Sequence, residues 1–427
     1  MSEVSLQNPS HWKRLVTATG ISNFGDGIYF VALPLLGATL TQDPRIIASL
    51  AAATMIPSLI FSLPIGAFVD RLHQGRAMVV VDFLRCLVLA TFATLVFFDE
   101  ISLWHLFILA LTLGTGGLLH DISSATFLPR IVHPQDLAKV NGYKASVTEI
   151  GNGVLGPAAG GLIFGMALFV PFAVNSLTFG IAALIIVRFA NQTAFPRQAK
   201  AQKEGEEERK GAYWQEIKEG ARWLNNHRGL RSIAIIVAAW NIFGWMPEGV
   251  LVLYVTEVLG LGSLGFGLIF GVTSVGAIIG GMFAGRIMKS IGPTRILMIS
   301  VVGYAILTLP PAFLSAPLLV GAVFFLQGIP LITWNATSTS IRQALVPREL
   351  LGRVTSVFVL LGGGLAPIGF ILGGFLGDLF GLRAVFLFSG IGLLVAFCLA
   401  YRGLAEAAAS FSDTMRKASV GAEQGQQ

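Results

Sequence analysis

Long apolar runs alternate with short polar breaks along the whole chain. Six runs cover about residues 15–40, 46–69, 77–98, 102–127, 142–165 and 168–189. After a longer polar break, six more cover about 230–256, 264–288, 294–314, 317–341, 354–377 and 383–402. As helices these runs are long enough to cross a hydrocarbon layer about 30 Å thick. In hydrocarbon every backbone N–H and C=O needs an internal partner, so continuous runs of this kind predict helices. A membrane β-barrel would show alternating segments of about ten residues instead, and these runs do not alternate. The expected fold is an all-α membrane protein with twelve transmembrane helices in two six-helix, pseudo-symmetric halves.

Composition supports the membrane reading. Of the 427 residues, 54% are hydrophobic and only 12% charged, with mean hydropathy +0.74. Soluble domains carry about a quarter charged residues. The breaks give orientation. Arg71 and Arg76 follow the second run, Arg130 and Lys139 the fourth, Arg286, Lys289 and Arg295 the eighth, and Arg342, Arg348 and Arg353 the tenth. The odd-numbered breaks hold little positive charge, with Asp43 and Arg45 after the first and Asp99 and Glu100 after the third. Lys and Arg stay on the cytoplasmic side, so both termini and the central break are expected in the cytoplasm of a cell (inner) membrane protein. These loops account for the net charge of +6, and no nucleic-acid partner is needed to explain it. Residues 1–13 are polar and the first run is too long for a signal-peptide core, so no cleaved leader is expected. Cys86 and Cys398 both lie in apolar runs and form no disulfide framework or metal site.

The expected organisation is a half at 1–190, a cytoplasmic linker at 191–229, a second half at 230–403 and a cytoplasmic tail at 404–427. The linker carries the charged run Lys203 to Lys210. After it, Trp214, Ile217, Ala221 and Leu224 recur at helical spacing with Lys218 and Arg222 between them, which predicts a short amphipathic helix on the membrane surface. The Ala-rich tail is expected to fray. The halves echo each other: Val132-His133-Pro134 with Leu345-Val346-Pro347, Gly66-Ala67-Phe68-Val69-Asp70-Arg71 with Gly281 to Arg286, and Pro157 and Gly160-Gly161 with Pro367 and Gly373-Gly374. A parallel duplication of this kind predicts a carrier that rocks around a central cavity.

At these residues the chain resembles the major facilitator superfamily, over its whole length and in particular the drug and metabolite efflux (transmembrane secretion effector-like) branch. That family's G-x-x-x-D-R-x-G-R-R signature is matched by Gly66, Asp70, Arg71 and Arg76, with His73 where a second Gly is usual. The resemblance implies a cytoplasmic gate there, with Gly66 permitting close helix packing. Gly156-Pro157-x-x-Gly160-Gly161 resembles the antiporter motif in helix 5 of drug exporters, with Asn152 in place of an upstream Gly. It implies a hinge at Gly156, Pro157, Gly160 and Gly161. Two G-x-G-x-x-G strings, at Gly151 and Gly260, follow no strand of a βαβ unit, so nucleotide binding is excluded, and no P-loop is present.

Charge at membrane depth is costly and marks function. Asp26, in Ser22-Asn23-Phe24-Gly25-Asp26-Gly27, lies about 18 Å along the first helix from Arg14. It is expected to couple protons or contact a cationic substrate. His120, Asp121 and Glu149 lie at similar depth in the fourth and fifth helices, where a Glu149–His120 contact could relay a proton. Asp82 and Arg85, three residues apart in the third helix, are expected to pair structurally near its cytoplasmic end. Trp240, Trp245, Glu248, Gln327, Trp334 and Asn335 are cavity candidates, since the resemblance places helices 7 and 10 around the cavity.

The expected function is proton-coupled export of lipophilic or cationic small molecules by alternating access. Partners are protons, an amphiphilic substrate and membrane lipid, acting on a monomer with no cofactor. Alternatives are a lipid or lysolipid flippase, a dedicated siderophore-like metabolite exporter, and a non-transporting receptor or scaffold. No nucleophile–base pair or metal-ligand spacing occurs, so no enzyme activity, catalytic residue or metal site is expected.

Overall fold

The computed structural model describes residues 9–69, 72–190 and 218–424, all of them in helices or short connections. Twelve crossings follow in order. The first four are α1 (Pro9–Leu40), α2 (Pro44–Val69), α3 (Gln74–Phe97) and α4 (Leu103–Ile131). The fifth, α5, is composite: Leu137–Thr148, a π-helical stretch Glu149–Leu155, then Gly156–Phe164. After α6 (Val170–Ala190) come α7 (Arg228–Val258, with π stretches Trp240–Gly244 and Tyr254–Val258), α8 (Ser263–Ile291) and α9 (Pro293–Thr308). The last are α10 (Pro317–Leu345), α11 (Arg348–Gly363 and Ala366–Phe380) and α12 (Leu382–Gln424). Lipid-facing side chains stay bare: Leu318 is 89% and Leu399 80% exposed, an outcome that water would penalise heavily.

The polar breaks use the turn chemistry the sequence offers. His133 caps the turn after α4 by accepting from the Gln135 N–H, with Pro134 opening it, and Pro347 precedes α11 at the equivalent place after α10. Gly292 and Gly381 take φ of +87°, a conformation other residues resist, and each launches the next helix.

Two compact units emerge. One gathers α1–α6 with Leu251–Ser274, the end of α7 and the start of α8; the other gathers the remaining residues of α7–α12. The first is built on a core including Leu15, Ala18, Phe127, Ile131, Ile186 and Phe189. The second is built on a core including Leu230, Ile233, Val301, Trp334 and Leu393.

Small residues let backbones meet inside each unit. In the first, a Cβ on Gly156 would stand 2.7 Å from Gly27 Cα and Phe24 O of α1, and one on Gly160 2.8 Å from Ile28 O. On α5's other side, Gly161 lies against Ser263 O and Gly267 against Pro157 O of α8's first turns. In the second unit Gly369 and Gly373 of α11 press on the carbonyls of Ile242 and Met246 in α7. Thus α5 meets α1 as α11 meets α7, and the sequence echo corresponds to a repeated contact. Close helix approach through glycine is the usual adhesive in lipid, where apolar side chains gain nothing by leaving the bilayer. Pro157 has no N–H to give, and the π stretch just before it takes up the lost bond, with Gly156 N–H donating to Gly151 O. That interruption also leaves α5 without a single long regular helix.

Three expectations change. Leu224 is buried in the second unit's core, Glu219 pairs with Arg353, and Gly220 abuts Arg353's backbone, so residues 218–226 dock on protein, a contact the expected surface helix did not include. Trp214 and Ile217 lie outside the described residues. The tail does not fray at 404: α12 continues, and Leu404, Ala407, Ala408 and Phe411 are buried. Gly229 accepts Ala407 closely and Arg228 pairs with Glu406 at 3.1 Å, which is why small residues follow the apolar run there. Gly66, expected to allow close packing, has nothing within 4 Å of its Cβ position among the described residues.

Gly156→Ala is expected to cost about 1–3 kcal/mol by forcing two backbones apart. Gly66→Ala is expected to stay within about 0.5 kcal/mol of the parent. Melting temperatures of the detergent-purified variants measure both.

Candidate functional site

Asp26 stands on a stretch of α1 that is held on two sides. Gly25 has no side chain where Asn175 and Thr178 of α6 close in, and Gly27 lies on the backbone of Gly151 and Asn152 in α5. The carboxylate turns to α3, where Asp26 Oδ1 accepts from the Arg85 guanidinium at 2.7 Å.

Arg85 is the hub. Its guanidinium carbon lies 3.7 Å from the centroid of the Phe179 ring on α6, and its other terminal nitrogen stands 4.0 Å from Asp82. Gly116 of α4 makes room, since a Cβ there would sit 3.0 Å from Arg85 Cγ and Cδ. Asp82 in turn faces His120 Nδ1 on α4 at 2.9 Å. That approach misses hydrogen-bond geometry, leaving both atoms formally unsatisfied, but the distance is within ion-pair range. The result is a chain of four ionisable groups, Asp26–Arg85–Asp82–His120, across α1, α3 and α4. Exposure grades along it: the Asp82 side chain is 0% exposed, Arg85 7% and Asp26 29%. Of the two ends of the chain, Asp26 is the more exposed, since the His120 side chain is 7% exposed.

This arrangement revises the expected helix 3 pair. Asp82 and Arg85 lie eight and eleven residues into α3, roughly 12 and 16 Å from its start, and Arg85 prefers Asp26 to its own neighbour. His120 is turned to Asp82. Glu149 opens the π stretch of α5 with its side chain exposed, and Asp121 is exposed on α4. Lys144, a cation that helical spacing alone does not single out, donates to Ser124 at 2.7 Å and ties α5 to α4.

The candidates on helices 7 and 10 fall in the second unit. Trp240 stacks on Trp334 at 5.8 Å and lies 4.2 Å from Tyr304, and both tryptophans are buried, so they pack that unit's core. Gln327 donates to Thr308, Trp245 to Asn241, and Asn335 is exposed. Glu248 keeps one buried carboxylate oxygen with no hydrogen-bond partner among the described residues.

At the gate motif Asp70 and Arg71 lie outside the described residues. His73 caps α3 by accepting from the Arg76 N–H, and Gln74 bridges Val69 O and Arg130. Burial, helped by the positive charge of Arg76, holds His73 below the usual histidine range. The neutral ring is the one that caps. Stability from this turn is therefore full above about pH 6.5 and is lost as pH falls toward the lowered folded value. His73→Asn, which caps without titrating, is expected to flatten this part of the pH–stability curve, measured by thermal unfolding between pH 5 and 8 (about the range in which His titrates).

Removing the hub strands two carboxylates. Arg85→Met is expected to destabilise by about 3 kcal/mol, the low end for a buried pair because Asp26 is partly exposed. The Asp26→Asn/Arg85→Met double variant is expected to regain part of that loss, a non-additivity that unfolding of the single and double variants measures.

Comparison with known proteins places the chain in a family. The chain is 26% identical to the multidrug efflux pump Tap of Mycobacterium tuberculosis over 383 residues, covering 87% of this chain and 88% of that protein. It is 24% identical to the multidrug resistance protein MdtG of Salmonella typhi over 409 residues, covering 88% and 92%. Its fold is similar to the inward-facing crystal structure of a bacterial homologue of the iron transporter ferroportin, with a TM-score of 0.70 at 18% identity, covering 95% and 100%. The family model described as Major Facilitator Superfamily matches residues 15–368 and again 244–423. This chain belongs to the Major Facilitator Superfamily.

Proposed function

We propose that this transporter exports lipophilic or cationic small molecules across the inner membrane, driven by the proton gradient through alternating access. The observation that carries the reading is Arg85 placed between two carboxylates, 2.7 Å from Asp26 and 4.0 Å from Asp82. A proton arriving at the more exposed Asp26 neutralises its charge and removes Arg85's stronger partner. Arg85 then swings to Asp82, and the Asp82–His120 contact loosens. Because the three partners stand on α1, α3 and α4, the exchange shifts those helices against one another. A cationic substrate competes for the same Asp26 carboxylate, so proton and substrate occupy it in turn, as antiport requires. Each charge crossing 100 mV supplies about 2.3 kcal/mol to this cycle.

The hinge motif supports the same reading. The π stretch before Pro157 gives α5 a point where it can bend while its glycines stay on α1 and α8. The two efflux relatives named above support export of drug-like substrates. The distribution of Lys and Arg supports cytoplasmic termini. Gly66, Asp70, Arg71 and Arg76 form the cytoplasmic gate in this scheme, with Glu149 and Asp121 facing the substrate path.

Reconstituted vesicles with an imposed pH gradient test the proposal. Addition of a lipophilic cation is expected to release protons through the parent protein. Asp26→Asn is expected to reduce this flux to background, and Arg85→Lys, which keeps the charge, to retain part of it. Unchanged flux and pH dependence in Asp26→Asn would rule the mechanism out.

A further inference from the structure

At the end of the first unit where α1 begins and α6 finishes, Lys13, Arg14 and Thr17 of α1 face Ile185 and Arg188 of α6 across a cavity of about 270 Å³. The spacing is helical on both sides, so these residues share one recess. Its back wall is fixed: Leu15 and Ala18 of α1 and Ile186 and Phe189 of α6 belong to the buried core directly behind it. His11 stacks on Phe189 at 5.6 Å and pins the start of α1 to α6.

Among the described residues, charge in this recess is unbalanced. Among the described residues no carboxylate pairs with Lys13, Arg14 or Arg188. Arg188 suits the C-terminal end of α6, but Lys13 and Arg14 stand in the first two turns of α1, at the positive end of its dipole. A preference for cations on the cytoplasmic side explains their sign. It does not explain three of them converging on one cavity, two of them against a helix dipole, an arrangement that an anion relieves. The level in the membrane is marked as well. Trp12 stacks on Tyr143 at 6.1 Å, with Lys13 and Lys139 over the two rings, the aromatic and basic pairing found at headgroup depth.

We infer that this recess binds the phosphodiester headgroup of an anionic phospholipid from the cytoplasmic leaflet. Lys13, Arg14 and Arg188 hold the phosphate, Thr17 donates a hydrogen bond, and Ile185 lies against the glycerol and first acyl carbons. The bound lipid occupies the helix that carries Asp26, but binding does not depend on proton coupling.

Purified full-length protein in nanodiscs of phosphatidylcholine, with phosphatidylglycerol titrated in, tests this by native mass spectrometry and thermal unfolding. Retained phosphatidylglycerol and a raised melting temperature are expected for the parent. Apparent affinity is expected to fall about fivefold for each cation replaced in Lys13→Gln, Arg14→Gln and Arg188→Gln. Arg188→Lys is expected to keep most of it, which separates lost charge from lost folding. Arg295→Gln/Arg402→Gln, which removes cations elsewhere, is expected to bind like the parent. An equal loss in that control would mean diffuse attraction and overturn the site. So would equal retention in the Lys13/Arg14/Arg188 variants, and equal protection by inorganic phosphate would overturn the assignment to lipid.

Discussion

A charge inside hydrocarbon must find its opposite within the protein, and here that constraint centres on one guanidinium. Arg85 is almost fully buried at mid-depth in α3, and the unit around it is arranged to receive it. Gly116 withdraws to admit its aliphatic stem, Phe179 offers a ring face, and Asp26 and Asp82 offer carboxylates on two sides. In the proposed cycle, neutralisation by two unequal acids, one sealed and one partly open, is what lets Arg85 exchange partners. A single salt bridge would be only a structural cost. Carrier action needs that kind of exchange, because a ligand shifts only an equilibrium whose two states it binds differently.

The second organising device is backbone contact. Glycines at 156 and 160 bring α5 onto α1, and glycines at 369 and 373 bring α11 onto α7. The contact recurs at the same place in each repeat, next to a π-helical interruption in α5 and in α7. Apolar side chains alone would slide in lipid, whereas carbonyls resting on glycine fix the register of each pair. A pair held so closely moves as one body, and the π stretches localise any bending.

Much of the architecture is legible in the residue pattern, because the hydrocarbon layer allows few solutions. The twelve runs correspond to twelve crossings, and even α5, broken into three pieces, is recognisable from its apolar span. That Asp26 would need a partner is also readable, since an acid between glycines at mid-helix is costly to leave unpaired. Its partner is not: Arg85 lies 59 positions away, and its spacing to Asp82 offers a nearer and more obvious pairing. The i, i+3 pair is kept at 4.0 Å, and three-dimensional proximity adds a shorter one at 2.7 Å. Likewise Trp240 and Trp334 look like cavity aromatics by composition, but each fills the other's neighbourhood in the core. The Ala-rich tail reads as weak helix, because the tight seat on Gly229 that stabilises it cannot be seen from its own sequence.

That tail changes what can be observed from outside the bilayer. From Leu382 to Phe411, α12 is one uninterrupted helix about 45 Å long, well beyond the thickness of the hydrocarbon. Its last turns are clamped to the start of α7 by the Arg228–Glu406 pair and the Gly229–Ala407 contact. It is thus a stiff rod with one end in the membrane and the other in water, and a tilt of about ten degrees would carry its far end by roughly 8 Å. A spin label or fluorophore beyond the membrane could follow the tilt of this helix without touching the buried core of its own unit.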